Sequence, residues 1–403
     1  MSASAARIAI VVHASLPDDP RIRRQAEALR DAGHEVDLFG LRDPGQPEVE
    51  TWNGIRIVRL PVRRRFAGFA GHLAEYLAFA ALVSVRLAVE HRHRHYRLVQ
   101  VATLPDFLTF ATLPVHLTGV PVLLDLHEDM PEFFRDRFAS AGLRPLFPLV
   151  SGAARASAKL ADAVITVHEP LRELAVARGI PADRISVVMN SADERLFDLG
   201  AHPRRPWRDD GTLRLVHHSN LQRIYGLDVA VEAMARLDPG LDAHLDVYGD
   251  GPFRPEVEAA IARHDVTQRV TLHGRVPLET LPGVLAAADL AVVPTRPEPY
   301  LAYSLSTKLL EAVAMRLPVI ASDLHTTRLH FDDAAIRFVP GGDPAALATA
   351  IAELADDPAA ADRQAEAAAR QAEPYAWAIQ RRHYLAVVDG LLGRGRLGAS
   401  HGA

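Results

Sequence analysis

Residues 291–323, AVVPTRPEPYLAYSLSTKLLEAVAMRLPVIASD, carry the pattern that decides the fold. The pattern predicts an apolar strand up to Pro294, a long polar loop, a helix that begins near Thr307, and a second short strand over 318–321. The long loop follows the carboxyl end of the first strand in this strand–helix–strand unit. Open parallel sheets bind ligands at that edge, so the sequence predicts a binding site in the loop.

The start of the predicted helix has the chemistry of an anion site. Ser306 is a suitable N-cap residue, and the amides of the first turn, including those of Thr307 and Lys308, then favour an anion. Lys308 and Glu311 are three residues apart and share a helix face. A cation and a carboxylate in this arrangement suit a nucleotide, which carries phosphate and vicinal hydroxyls. A solvated surface pair is the alternative that the helix alone leaves open.

Composition limits the class of protein. A chain of 403 residues is too long for one compact core and predicts two domains. The formal net charge of -5 argues against a nucleic-acid binder, and the absence of cysteine excludes disulfides, thiol catalysis and cysteine-ligated zinc. The first residues lack a signal-peptide pattern, and the apolar run 77–83 is too short to span a bilayer. We therefore expect a cytoplasmic protein.

Polar side chains follow two predicted strands of the first half. Asp19 and Arg21 come after the strand at 7–12, where helix capping with a surface charge is favoured over catalysis. His127 follows the strand at 120–125, in the segment DLHEDMPE. A complete metal-ligand set cannot be drawn from that segment, so no metal site is predicted. We expect His127 to be a hydrogen-bonding group at the active edge of the sheet; a buried histidine bonded to backbone is the alternative.

A basic and aromatic patch precedes a long apolar helix predicted over 72–90. Its residues are Arg63, Arg64, Arg65, Phe66 and Phe69. Such a patch can rest on anionic lipid, which predicts peripheral contact with the inner face of a membrane. A loop followed by a core helix is the alternative interpretation.

In the second half, strands and helices alternate after a linker at 201–211, which predicts a parallel sheet with helices on both faces. Two such domains are expected to face each other across a cleft. Three turns stand at successive carboxyl edges of this second sheet and together predict a nucleotide pocket. One contains the cation Arg223, the next places Gly249 and Gly251 around Asp250 so that a ligand can approach the backbone, and the third contains Arg275 and Val276.

An ordered set of motifs resembles a known family. The segments DPRIRRQAEALRDAGHEV, DLHEDMPE, ADAVITVHEPLRE, ISVVMNSADERLF, YGDGPF, VTLHGRVPLETLPGVLAAADLAVVPT and STKLLEAVAMRLPVIASD resemble the group-1, family-4 glycosyltransferases over roughly residues 7–390. The resemblance implies the GT-B fold, with two Rossmann-like, doubly wound parallel-sheet domains. It implies an acceptor-side domain at 1–200, a donor domain at 212–374, and a final helix, 375–392, that crosses back onto the first domain.

The resemblance also implies a retaining transferase with a nucleotide-sugar co-substrate. By motif, Glu311 binds the ribose hydroxyls, and His127 lies close to the transferred sugar. The glycine turns at Gly249, Asp250 and Gly251, together with Arg275 and Val276, line the base. Enzymes of this fold stabilise the departing diphosphate with cations and helix amides instead of a required metal, which assigns that role to Arg223, Lys308 and the amides after Ser306.

Several positions depart from the family pattern. Tyr303 stands where a first glutamate is usual, Tyr225 where a lysine is usual, and Arg316 where a glycine is usual. The S-x-K-x-x-E arrangement of Ser306, Lys308 and Glu311 resembles a subgroup in which the lysine partly replaces the missing glutamate. The sequence thus predicts transfer of a sugar to a glycan, lipid-linked or small-molecule acceptor. A non-catalytic partner subunit and a sugar-nucleotide epimerase of the same fold are the alternatives.

Overall fold

The computed structural model describes residues 5–17, 19–62, 68–138, 142–298, 301 and 303–399, without the side chains of 136–138 and 394–399. The chain divides into two compact units. The first unit is Met1–Met189 with Ile379–Ala403, and the second is Asn190–Ala378.

The first unit contains an eight-stranded sheet. Its order is β3-β4-β2-β1-β5-β6-β7-β8, with β3 antiparallel to β4 and the other neighbours parallel. The strand order reverses between β1 and β5, and ligands bind at such a switch point in open α/β sheets. The strands are β1 (Arg7–Ser15), β2 (Glu35–Leu41), β3 (Val49–Trp52), β4 (Ile55–Leu60), β5 (Leu98–Ala102), β6 (Val122–Leu126), β7 (Ala163–Thr166) and β8 (Ile185–Val187).

Helices pack against this sheet through apolar faces. Asp19 caps the first helix, whose second residue is Arg21. The last helix of the chain, Trp377–Ala399, begins in the second unit and continues in the first. The other helices are α1 (Pro20–Asp31), α2 (Gly68–Arg94), α3 (Leu113–His116), α4 (Met130–Phe138), α5 (Phe147–Leu160) and α6 (Glu169–Ala177), with 3₁₀ turns at Asp106–Thr112, Arg144–Leu146 and Ala182–Arg184.

Helix α2 has two apolar faces. Phe79, Val83 and Leu87 are buried in the core of the first unit, while the large apolar side chains on the other face are exposed. By length and composition alone, α2 is the one helix in the described ranges that is able to cross a membrane. Its buried face nevertheless makes it part of the packed unit.

The second unit contains a six-stranded parallel sheet. Its order is β11-β10-β9-β12-β13-β14, which is the 3-2-1-4-5-6 order of the doubly wound fold. The switch point lies between β9 and β12. The strands are β9 (Leu213–His218), β10 (Ala243–Tyr248), β11 (Val270–Gly274), β12 (Leu290–Val293), β13 (Val319–Ser322) and β14 (Arg337–Val339), and the helices are α7 (Leu227–Arg236), α8 (Arg254–Arg263), α9 (Leu281–Ala286), α10 (Thr307–Ala314), α11 (His325–Arg328), α12 (Pro344–Asp356) and α13 (Pro358–Ala372), with 3₁₀ turns at Arg223–Tyr225, Leu278–Thr280 and Glu373–Tyr375.

In residues 291–323, strand β12, helix α10 and strand β13 follow one another as predicted. Leu309, Leu310 and Val313 are buried and seat α10 in the second unit. The helix ends before Arg316, whose φ of 54° is left-handed. This geometry explains why the family pattern has a glycine here, since only glycine adopts it without steric cost.

Candidate active site

The site in the second unit is built from the turn after β9 and the loop after β12. At Gly226, φ is 65°, and an added Cβ would lie 2.0 Å from the Pro294 carbonyl oxygen. The Arg296 amide donates a hydrogen bond of 2.8 Å to the Ile224 carbonyl. The two segments therefore pack backbone against backbone at the switch point, and a side chain at position 226 would force them apart.

Glu311 points to the end of β9. Its Oε2 lies 2.6 Å from Nε2 of His218, and the Glu311 residue is only 9% exposed. The alternative interpretation, in which Lys308 and Glu311 form a solvated surface pair, is therefore wrong. Sequence reasoning did not select His218, although a strand that ends in two histidines, LRLVHH, was a usable signal.

Lys308 reaches the turn after β9. Its Nζ lies 3.6 Å from the centroid of the Tyr225 ring, which is a cation–π contact. Burial lowers the pKa of Lys308 to about 8, and the Glu311 carboxylate opposes that shift. The Lys308 cation of α10 therefore lies at Tyr225, which is the position where the family pattern has a lysine. By contrast, Arg223 is 66% exposed and pairs with Glu298 at 3.4 Å.

Ser306 occupies the N-cap position of α10, but its hydroxyl makes no capping hydrogen bond. Its Oγ is buried, and no described residue forms a hydrogen bond with it. The predicted cap is therefore correct in position and wrong in its side-chain contact. A buried hydroxyl without a partner beside the first turn of a helix, which begins at Thr307, is a group that a bound anion would satisfy.

Packing alone accounts for the two glycines of the turn after β10. A Cβ at Gly249 would lie 1.8 Å from the Ser219 carbonyl oxygen, and one at Gly251 would lie 2.3 Å from the Leu221 carbonyl oxygen. Packing against the neighbouring turn, with no ligand present, already requires both glycines. Asp250 between them is exposed.

Hydrogen bonds join the three turns in a row. The Ser219 amide donates to the Tyr248 carbonyl at 2.9 Å, and the Gly249 amide donates to the Gly274 carbonyl at 2.7 Å. Arg275, exposed, and Val276, half-buried, follow at the far end of this row after β11. The predicted clustering of the three turns at one sheet edge is therefore present.

In the first unit, His127 is 6% exposed and follows β6. Its Nε2 donates to Oδ2 of Asp125 at 2.8 Å, and its amide donates to the Thr103 hydroxyl at 3.0 Å. Nδ1 is buried and has no hydrogen-bond partner within the described part of the chain. The ring is therefore held by a carboxylate, not by backbone as the alternative had it, and its second nitrogen remains able to accept a hydrogen bond.

Asp125 belongs to a buried polar chain that sequence reasoning missed. Its Oδ2 also accepts from Gln25 at 2.8 Å and from Gln100 at 3.3 Å. Gln100 accepts in turn from the Tyr384 hydroxyl at 2.6 Å, so the last helix of the chain is linked to His127. No local pattern marks these residues, because they come together from four separate segments.

Two family models match this chain in succession. The model described as "Glycosyl transferase 4-like domain" matches residues 19–191, and the one described as "Glycosyl transferases group 1" matches residues 212–357. The chain belongs to the group 1 glycosyltransferases. The resemblance drawn from the sequence motifs is thereby confirmed.

This glycosyltransferase is similar to characterised enzymes and structures. It is 27% identical to 2-deoxystreptamine glucosyltransferase of Streptomyces kanamyceticus over 84% of this chain and 89% of that one. A sucrose-phosphate synthase structure from Thermosynechococcus elongatus has a TM-score of 0.79 at 21% identity, over 96% of this chain and 100% of the other. Anabaena HepE in complex with UDP-glucose has a TM-score of 0.71 at 17% identity, over 96% and 100%. The GT-B fold is confirmed.

Asp19 and Arg21 of this glycosyltransferase form a close pair. Oδ1 of Asp19 caps α1 by accepting from the Arg21 amide at 3.0 Å and the Ile22 amide at 3.3 Å, while Oδ2 accepts from the Arg21 guanidinium at 3.1 Å. Burial raises the pKa of Asp19, but Arg21 and then His127 outweigh that effect and lower it to about 2. The capping role is confirmed, and the carboxylate stays charged beside His127 at neutral pH.

Two further predictions concern the periphery of the molecule. Arg63, Arg64, Arg65 and Phe66 lie outside the residues that the structure describes. Phe69, from the same predicted patch, contacts Phe134 edge-on with ring centroids 5.6 Å apart. In the described ranges of this glycosyltransferase, no group of three or more histidines and carboxylates is arranged to hold a metal ion.

Proposed function

We propose that this glycosyltransferase is a retaining enzyme that moves a sugar from a nucleotide-sugar donor to a glycan, lipid-linked or small-molecule acceptor. The observation that carries the proposal is the cluster at the switch point of the second unit. Three side chains lie there at the N-cap and in the first two turns of α10. They are the buried carboxylate of Glu311, the hydroxyl of Ser306, which has no partner among the described residues, and the half-buried Lys308. A carboxylate beside cationic and amide donors suits the ribose and diphosphate of a nucleotide.

In the donor role, residues 212–374 bind the nucleotide sugar. Glu311 accepts hydrogen bonds from the ribose hydroxyls, and the diphosphate lies against Lys308, Arg223 and the first-turn amides that begin at Thr307. These donors stabilise the charge that develops as the diphosphate departs, so that the reaction requires no metal ion. The row of turns at Gly249, Asp250, Gly251, Arg275 and Val276 lines the base.

In the acceptor role, residues 1–200 and the helix over 375–392 act together. His127 offers Nδ1 as an acceptor for a substrate hydroxyl, because Nε2 is the nitrogen that donates to Asp125. The Asp19–Arg21 pair lies at the same sheet edge, where its charges influence His127 and Asp125. We assign it to positioning of the acceptor.

We propose a cytoplasmic enzyme in peripheral contact with an anionic membrane. The outer face of α2 supports this proposal, because Leu77, Leu82, Val85 and Val89 are exposed on it. In sequence, Arg63–Arg65 immediately precede α2, and basic residues beside an apolar helix face suit anionic lipid. Vesicles of phosphatidylserine should retain the wild type and release a variant with Val85→Glu and Val89→Glu. Equal retention of the two, or none of the wild type, contradicts the membrane proposal.

The test of the donor role is a thermal-shift panel of nucleoside diphosphates, followed by a mixed panel of nucleotide sugars. Uridine diphosphate comes first, since HepE is described with UDP-glucose. We expect stabilisation by one base and transfer that keeps the anomeric configuration, read by NMR of the product. No stabilisation by any nucleotide favours a non-catalytic partner subunit. Release of an epimerised sugar without an acceptor favours an epimerase.

A further inference from the structure

A cavity of about 400 Å³ lies within the first unit, separate from the His127 ring and its polar chain. Aromatic side chains dominate its wall: Phe69, Tyr76, Phe107, Phe133 and Phe134. Tyr76 and Phe107 meet edge-on with ring centroids 6.5 Å apart, like the Phe69–Phe134 pair. A volume of this size is typical of a small-molecule site, and an apolar wall gains free energy when a ligand replaces water against it.

A buried carboxyl forms part of this wall. Asp106 lines the cavity, is 4% exposed, and its Oδ1 has no hydrogen-bond partner among the described residues. Burial raises the pKa of Asp106 well above its usual range, and the nearby charge of Asp129 raises it further. A carboxyl whose pKa is raised in this way takes up a proton more readily, and its protonated form offers both a donor and an acceptor to a ligand. A buried polar atom without a partner is costly unless something binds to it.

The cavity lies near the edge of the first sheet that we assign to acceptor binding. Asp106 begins the 3₁₀ turn after β5, beside the switch point, and α4 begins only three residues after His127. Leu77 and Leu149 line the cavity and are also exposed, so the apolar wall continues to the surface. A ligand group that enters between these leucines meets a largely apolar interior with the Asp106 carboxyl in its wall.

We propose that this cavity holds the apolar part of the acceptor, an aryl or acyl group that carries an uncharged hydrogen-bonding atom for Asp106. The inference rests on the proposed transferase function and narrows it, because it selects acceptors with an apolar aglycone over wholly polar sugars or aminocyclitols. A charged group is disfavoured in the cavity, since most of the side chains that line it are apolar and cannot replace the water around a charge.

The test uses n-alkyl glucosides from butyl to octyl, below their micelle-forming concentrations, with glucose as the polar control. Calorimetry on the full-length wild type should show tighter binding with chain length, by roughly fourfold for each methylene that enters the cavity. Affinity that does not depend on chain length overturns the proposal. Such a result together with concentration-dependent dimers in sedimentation would assign the cavity to a second copy of this chain.

A matched pair of variants locates the binding. Ala154 lines the cavity, whereas Ala156 on the same helix is exposed, so Ala154→Phe fills the cavity and Ala156→Phe does not. We expect at least a tenfold loss of octyl glucoside affinity for Ala154→Phe and none for Ala156→Phe. Equal affinity in both variants overturns the proposal. Nucleoside diphosphate binding, measured on the same samples, reports separately on the donor role and should be unchanged.

Discussion

Each unit has a histidine–carboxylate hydrogen bond at the carboxyl edge of its parallel sheet, but the two pairs are built in opposite order. In the first unit the carboxylate of Asp125 is on strand β6, and the ring of His127 follows it at 2.8 Å. In the second unit the ring of His218 ends strand β9, and the carboxylate of Glu311 reaches it from helix α10 at 2.6 Å. Both pairs are buried.

The order of the histidine and the carboxylate in each pair decides which of the two groups is available to a ligand. Gln25, Gln100 and His127 all donate to Oδ2 of Asp125. Among the described residues, the ring nitrogen Nδ1 of His127 has no hydrogen-bond partner. Glu311 is bonded only through Oε2 to His218 among the contacts described, so the open group there is a carboxylate. A single ring nitrogen suits one substrate hydroxyl, while a carboxylate with two oxygens suits the vicinal pair of a ribose.

The largest effect is expected from Asp125→Ala, which removes the acceptor shared by three buried donors. Each unsatisfied donor costs about 1 to 3 kcal/mol, so the first unit should lose at least several degrees in melting temperature. Turnover should fall with it, because His127 loses its orientation. Calorimetric melting and kcat measure the two losses.

The control for that variant is Asp183→Ala, which removes an exposed aspartate of the same unit. It should melt and turn over as the wild type does. An Asp125→Ala protein with wild-type stability would show that the first pair is not anchored as described, and the contrast between the two pairs would no longer hold.

Next in size is Glu311→Ala, which should weaken donor binding with little change in melting temperature. A charge-assisted hydrogen bond contributes about 1.5 to 3 kcal/mol, so the affinity for the nucleoside diphosphate should fall roughly 10- to 100-fold. Only His218 loses a partner, in contrast to the three donors of Asp125. Titration calorimetry measures the affinity, and Glu366→Ala, on an exposed surface pair with Arg316, is the control. Unchanged affinity refutes the ribose role.

The same contrast explains what the sequence was able to predict. The strands, α10 and the importance of Glu311 follow from local patterns and ordered motifs, since the residues concerned are close in sequence. The β3–β4 hairpin was not predicted, and the strands β8 and β14, of three residues each, are too short for a periodic signal. Gln25, Gln100 and Tyr384 meet at Asp125 only after the sheet and the last helix have formed. Tertiary packing decides such contacts, and no motif contains them.

A smaller effect is expected from pH, through the charge of Lys308. The Asp125–His127 pair of the first unit contains no lysine. Its pKa of about 8 means that the free enzyme loses this proton as the pH rises above 8. Bound diphosphate favours the protonated amine, so binding takes up a proton there, and affinity should fall with rising pH by at most tenfold per unit. His217, whose pKa burial lowers to about 3, stays neutral throughout this range.

Calorimetric titration with nucleoside diphosphate between pH 7 and 9.5 measures this dependence. In Lys308→Arg the affinity should stay level over the range, because a guanidinium keeps its proton. A wild-type affinity that is equally level would remove Lys308 from the diphosphate site and leave Glu311 as the main donor contact of α10.

The smallest effect is expected from Tyr384→Phe, at the far end of the chain that anchors the first pair. The variant removes one hydroxyl that donates to Gln100 at 2.6 Å and should cost about 1 kcal/mol of unfolding free energy. Urea denaturation measures the change, and a double-mutant cycle with Gln100→Ala separates the hydrogen bond from packing. If Tyr384 acts through Gln100, the second substitution makes the first nearly neutral. Additive losses would mean that Tyr384 only fills space, and that the anchor of His127 ends at Gln100.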